Sequence, residues 1–140
     1  ADRVVYLAAY LYHYRRNGSS SVTSGYNPRL YDQWQTLYDR MEAIIQSNQL
    51  GSEYEAALNN RIALGILGLG LNITVSTQSM GKKVKDIRRI IRQERYRRAY
   101  KNLPLNYFPI HWKLFYGCAR HGFAFGVYVL LTVIQRIISR

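Results

Sequence analysis

The chain has 140 residues, an apolar share of 48% and a net charge of +12. That length holds a single domain, and that apolar share excludes a disordered tail. The lone Cys118 excludes an internal disulfide and a cysteine-rich metal site, and no uninterrupted apolar run reaches the roughly 20 residues that span a bilayer.

Residues Val4 to Arg16, VVYLAAYLYHYRR, suggest short strands at Val4–Tyr6 and Leu11–Tyr14. A helix is the alternative, because Ala8 and Ala9 interrupt the alternation. The serine-rich run Asn17 to Tyr26 is a loop, with Asn17-Gly18 marking a turn. Asn27 is then a helix cap and Pro28 suits the first turn, where its missing N–H costs nothing. Leu30, Tyr31, Trp34, Leu37, Tyr38, Met41, Ile44 and Ile45 follow at spacings of three and four, which predicts a helix that Gly51 ends. Ser52 with Glu55 three residues on predicts a capping box and a second helix to about Ser76. The half from Ile62 to Val75 is apolar on all sides apart from Asn72 and Thr74, so it belongs at the centre of a core. Gly65, Gly68 and Gly70 inside it each cost about 1 kcal/mol of helix stability against alanine. That cost implies close approach by a neighbouring helix. Their spacing excludes a phosphate-binding loop.

The stretch Lys82 to Lys101 holds ten of the twenty Lys and Arg residues and only two acids, Asp86 and Glu94. Val84, Ile87, Ile90 and Ile91 form one helical stripe. Tyr96, Ala99, Tyr100 and Leu103 form a second, out of phase with the first, which predicts a break near Gln93 to Arg95. Four readings of the charge stay open: a solvated helix face, an anionic membrane surface, nucleic acid, or an acidic protein partner. Nucleic acid ranks below the membrane surface, since no zinc-ligand spacing, RNA-binding aromatic signature or helix-turn-helix pattern is present, and an acidic protein partner ranks below both. Leu103-Pro104 to Phe108-Pro109 breaks the chain again. Ile110 to Arg120 predicts a short helix, and Gly122 separates it from a last apolar helix over residues 123–140. Those last helices are either core or an interfacial anchor. The expected fold is mainly α, a bundle of about four to five helices over residues 27–140, with room for a short β remnant in residues 1–26.

Catalytic chemistry has little to work with. The eight acids contain no DxD and no Glu-Asp pair, and Asp39 and Glu42, three apart on a helix, are expected to be solvated. No metal site is expected. His111 and His121 lie in aromatic surroundings that suit packing better than ligation, and no nucleophile elbow is present. One stretch does resemble part of a site. Tyr12-His13-Tyr14-Arg15-Arg16 runs into Asn17-Gly18-Ser19-Ser20-Ser21, which sets two arginine forks beside backbone N–H groups, both suited to phosphate oxygens. An ordinary strand end and turn is the plain alternative.

The run Val4 to Val22, VVYLAAYLYHYRRNGSSSV, resembles the end of the catalytic domain in bacterial family 2 glycosyltransferases, where an LYxYR strand leads into a serine-containing loop. The runs Ile87 to Tyr107 and Pro109 to Leu131 are similar to the C-terminal helical region of the same enzymes, those that build capsule, exopolysaccharide and wall glycans. The resemblance implies that residues 1–26 end a catalytic domain and that 27–140 form a non-catalytic C-terminal helical domain. It implies an N-terminal nucleotide-sugar domain as a partner, with a nucleotide sugar and Mg²⁺ or Mn²⁺ held by residues ahead of Ala1, and no cofactor in this stretch itself. Arg15, Arg16 and the loop Ser19, Ser20, Ser21, with His13 carried more weakly, would lie near the donor diphosphate. Ala8-Ala9-Tyr10 departs from the proline or acid common in the family. Many such enzymes act on lipid-linked acceptors, so the resemblance tips the basic stretch toward the inner face of the cell membrane or a homo-oligomer. Lys82, Lys83, Lys85, Arg88, Arg89, Arg92, Arg95, Arg97 and Arg98 are the expected anion-facing side chains. A free-standing basic helical module for nucleic acid or a protein partner is the alternative.

Overall fold

The computed structural model of the chain describes residues 25–138. The strands and the Arg15 and serine-loop site expected in the first 24 residues lie outside them. Six α-helices follow in order: α1 (Leu30–Ser47), α2 (Ser52–Thr74), α3 (Met80–Ile91), α4 (Glu94–Asn102), α5 (Ile110–Arg120) and α6 (Ala124–Ile138), with a 3₁₀ turn at Leu105–Tyr107 between α4 and α5. No strand occurs among the described residues.

The all-round apolar sequence of α2 puts it at the centre. It packs against α1, α3, α4 and α6 and buries Leu58, Ile62, Ala63, Ile66, Leu69 and Ile73. By length and composition α2 could cross a membrane, yet here it is the axle of the bundle. Its glycines let the neighbours in close. A side chain at Gly68 would stand 2.8 Å from the Trp34 ring of α1, and one at Gly70 would collide with Leu131 of α6. The Arg61 guanidinium, also from α2, lies 5.6 Å from the Trp34 ring centroid.

Helix ends depart from expectation in three places. The capping box at Ser52 and Glu55 does not form: Gly51 precedes the first turn and no side chain caps it. Helix α1 stops at Ser47, before Gly51. Gln49 takes a left-handed φ of 49°, and the Leu50 and Gln49 amides donate to the Ile45 and Gln46 carbonyls. That paired return satisfies the last carbonyls of the helix without glycine, although glycine is the commoner choice. The same device closes α5, here with the expected residue, Gly122 at φ 72°. At the start of α1 the expected Asn27 cap gives way to Arg29, which precedes the helix without a side-chain cap, while Asn27 Oδ1 accepts from the Arg29 amide in the turn before it. Asn72, the polar exception in α2, receives the Asn27 amide on its side-chain oxygen at 2.8 Å and donates back to the Asn27 carbonyl at 2.9 Å. The incoming chain is therefore pinned to the central helix.

Candidate functional site

The basic stretch breaks where its two stripes fall out of phase. Helix α3 ends at Ile91, Gln93 is extended, and α4 starts at Glu94. Each half then buries its own stripe: Ile87, Ile90 and Ile91 from α3, and Tyr96, Ala99 and Tyr100 from α4. The turn is stapled to α1, where the Tyr31 hydroxyl donates to the Gln93 side-chain oxygen.

With its isoleucines inward, α3 carries its charge outward. Lys82, Lys85, Arg88, Arg89 and Arg92 are all exposed. Arg89 stands 4.0 Å from Asp86 but is 68% exposed, so that contact neutralises little. Lys83 differs from the expectation of an anion-facing group. Its ammonium donates to the Thr74 carbonyl at 2.9 Å, capping the C-terminal end of α2, where a cation is favoured.

Arg95 corrects the expectation more fully. It turns toward α1 and donates to Gln35 Oε1 at 3.0 Å, to Glu42 Oε2 at 3.0 Å and to Asp39 Oδ1. Asp39 and Glu42, expected to be merely solvated, are its partners, though both keep contact with water. Burial opposes the Arg95 charge, but these hydrogen bonds and carboxylates outweigh it and raise the pKa above the ordinary arginine value. Gln35, Asp39 and Glu42 lie one helical turn apart on α1, a pattern visible in the sequence, but nothing local says that α4 meets that edge. Arg97 and Arg98 are exposed. Arg98 shares a cleft of about 470 Å³ between α1, α2 and α4 with Arg95, Glu42, Glu55, Asn59 and Asn102. Its charges are balanced, so it suits water or a neutral polar group better than a phosphate.

The buried face of α4 is phenolic. Gln35 donates to the Tyr96 hydroxyl at 3.2 Å, while the Tyr100 hydroxyl has no partner among the described residues. Burial raises the pKa of Tyr96 and Tyr100, and pushes Tyr116 of α5 up to about 12. The Cys118 thiol is raised for the same reason, which suits a packing role.

Helix α6 packs on both α2 and α3. A side chain at Gly122, where α6 begins, would stand 3.9 Å from Arg92 Nε, so the end of α3 lies beside the start of α6. Ala124, Val127 and Leu131 go into the core. Phe125, Val129, Val133 and Ile137 go out, at 47%, 42%, 50% and 70% exposure. Helix α6 thus gives one face to the core and leaves an apolar face exposed. Among the described residues no group of three or more His, Cys, Asp or Glu side chains is placed to hold a metal ion.

Fold and surface together define a basic all-α bundle with one outward cationic helix lying along an apolar one. Comparison with family models, with curated proteins and with solved structures finds no significant match.

Proposed function

We propose that this chain is the non-catalytic C-terminal helical portion of a nucleotide-sugar-dependent glycosyltransferase in bacterial surface polysaccharide synthesis, and that it holds the enzyme at the cytoplasmic face of the cell membrane. The observation that carries the attachment is the outward face of α3. Five cations stand there with one half-buried acid among them. Juxtaposed Lys and Arg near an anionic bilayer contribute about 1 kcal/mol each, so five are enough for salt-sensitive peripheral binding. A core helix needing only solubility would not need that density of one sign.

The enzymatic part of the reading rests on the resemblance of residues 4–22 and of the helical runs to family 2 enzymes. In that reading Arg15, Arg16 and Ser19 to Ser21 approach the donor diphosphate. The test is sedimentation with vesicles of phosphatidylcholine alone and with added phosphatidylglycerol. Binding to the anionic vesicles only, lost at high salt, is the expected result. Equal binding to neither or to both would overturn the attachment. For the enzymatic part, the chain joined to its native upstream coding sequence should consume a UDP-sugar with Mn²⁺, and Arg15→Ala should suppress that turnover. No donor consumption with any common UDP- or dTDP-sugar would count against it.

A further inference from the structure

The proposed attachment names charge as the contact. A second, independent feature says which helix enters the bilayer. From the geometry we infer that α6 lies in the plane of the membrane interface, its outer stripe sunk among the acyl chains and α3 riding beside it on the phosphates. This inference rests on the attachment reading and deepens it.

The stripe is Phe125, Val129, Val133 and Ile137, at helical spacings of four. Twelve residue steps from Phe125 to Ile137 make it about 18 Å long. Among the described residues of α6 itself, the charged side chain is Arg136, in the last turn. Phe123 adds to its start, 56% exposed and lying over Gly126. No acid occurs anywhere from Lys101 to Arg140. At 15 residues α6 reaches about 22 Å, short of the roughly 30 Å hydrocarbon core, and its opposite face is committed to α2 and α3. It is therefore a helix that lies on a membrane and does not cross it. The α5–α6 turn sets the Arg92 side chain beside Gly122, so cationic and apolar rows run along adjacent helices. That pairing of rows selects the occupant. A second copy of this chain would bring a second cationic row against the first, whereas an anionic bilayer answers both rows together. Aliphatic and aromatic groups buried to 5–10 Å with cations at headgroup level is the ordinary arrangement of such helices.

The test uses the full chain with Cys118→Ser, so that single cysteines can carry a nitroxide. Labels at Val129 and Val133 report on the stripe, and a label at exposed Gln33 of α1 is the control. Mixed phosphatidylglycerol and phosphatidylcholine vesicles are added, and collision rates with oxygen and with a water-soluble nickel complex are compared. The expected result is that the two α6 labels become oxygen-accessible and nickel-protected while Gln33 stays aqueous. Val129→Glu, with helix content checked by circular dichroism, should lower vesicle affinity about tenfold or more. Aqueous α6 labels on vesicle-bound protein would overturn this inference and leave the electrostatic attachment standing. An absence of vesicle binding would remove both. Protection of the labels without vesicles, with a doubled mass in solution, would assign the stripe to a second copy and overturn the inference.

Discussion

The two halves of the basic stretch carry similar charge and spend it differently. Helix α3 turns five cations to the outside and keeps only Lys83 for the protein itself, as a cap on α2. Helix α4 sends Arg95 into the seam with α1, where three side chains of that helix receive it. Their buried faces differ as well, isoleucine in α3 and tyrosine in α4. The lesson is that charge density along a sequence does not say which cations are available. Availability depends on whether a neighbouring helix brings acceptors to the seam. Helix α1 brings Gln35, Asp39 and Glu42 to α4. Helix α6, on the other side of α3, carries no carboxylate at all.

Alkali should separate the two faces most strongly, since the buried phenols lie on the α4 side and not beneath α3. In the unfolded chain tyrosine ionises near pH 10, while in the bundle burial keeps Tyr96, Tyr100 and Tyr116 neutral to higher pH. Between pH 10 and the folded values the unfolded state binds fewer protons, so stability that is complete below pH 10 is lost as pH rises. Each of the three contributes a slope of about 1.4 kcal/mol per pH unit in that window. Urea midpoints measured from pH 9 upward should fall steeply above 10. Tyr100→Phe should flatten the fall and, because its hydroxyl has no partner, cost nothing at neutral pH. A flat profile to pH 12 would break the contrast.

Ile87→Ala comes next. The side chain is fully buried, and truncating it should cost about 3 kcal/mol in chemical denaturation. Arg95→Ala should cost about 1 kcal/mol, because its carboxylate partners remain partly in water. Asp39→Asn combined with it should add little, since the pair is then already broken. Smallest in stability is Arg88→Ala with Arg89→Ala, under about 0.5 kcal/mol, as both side chains are exposed.

Much of the helical architecture was legible. The period of α1, the apolar girth of α2 and the phase shift near Gln93 each name an element, and burial then follows from period. The glycines of α2 announced close neighbours, which proved to be Trp34 and Leu131. The α1 stripe was legible only in part. Leu37, Met41 and Ile44 remain exposed because α1 packs chiefly on one helix and buries a narrow strip of its circumference. Helix stops were the least legible. A left-handed Gln49 ends α1 two residues before the glycine that looked like the signal, because backbone return bonds can tolerate a side chain there. For the candidate surface, the cations were visible but their partners were not. Arg95 and Lys83 acquire acceptors from helices 53 and 9 residues away in sequence, which no local pattern encodes.

The most direct measurement sets the two halves side by side on a membrane. Affinity for phosphatidylglycerol vesicles is titrated for three proteins: the native chain, the α3 variant Arg88→Ala/Arg89→Ala/Arg92→Ala, and the α4 variant Arg95→Ala. Outward cations on α3 predict a loss of about a hundredfold or more for the first variant and little change for the second. Equal losses, or none in either, would contradict the claim that α3 is the face this protein turns to an anionic surface.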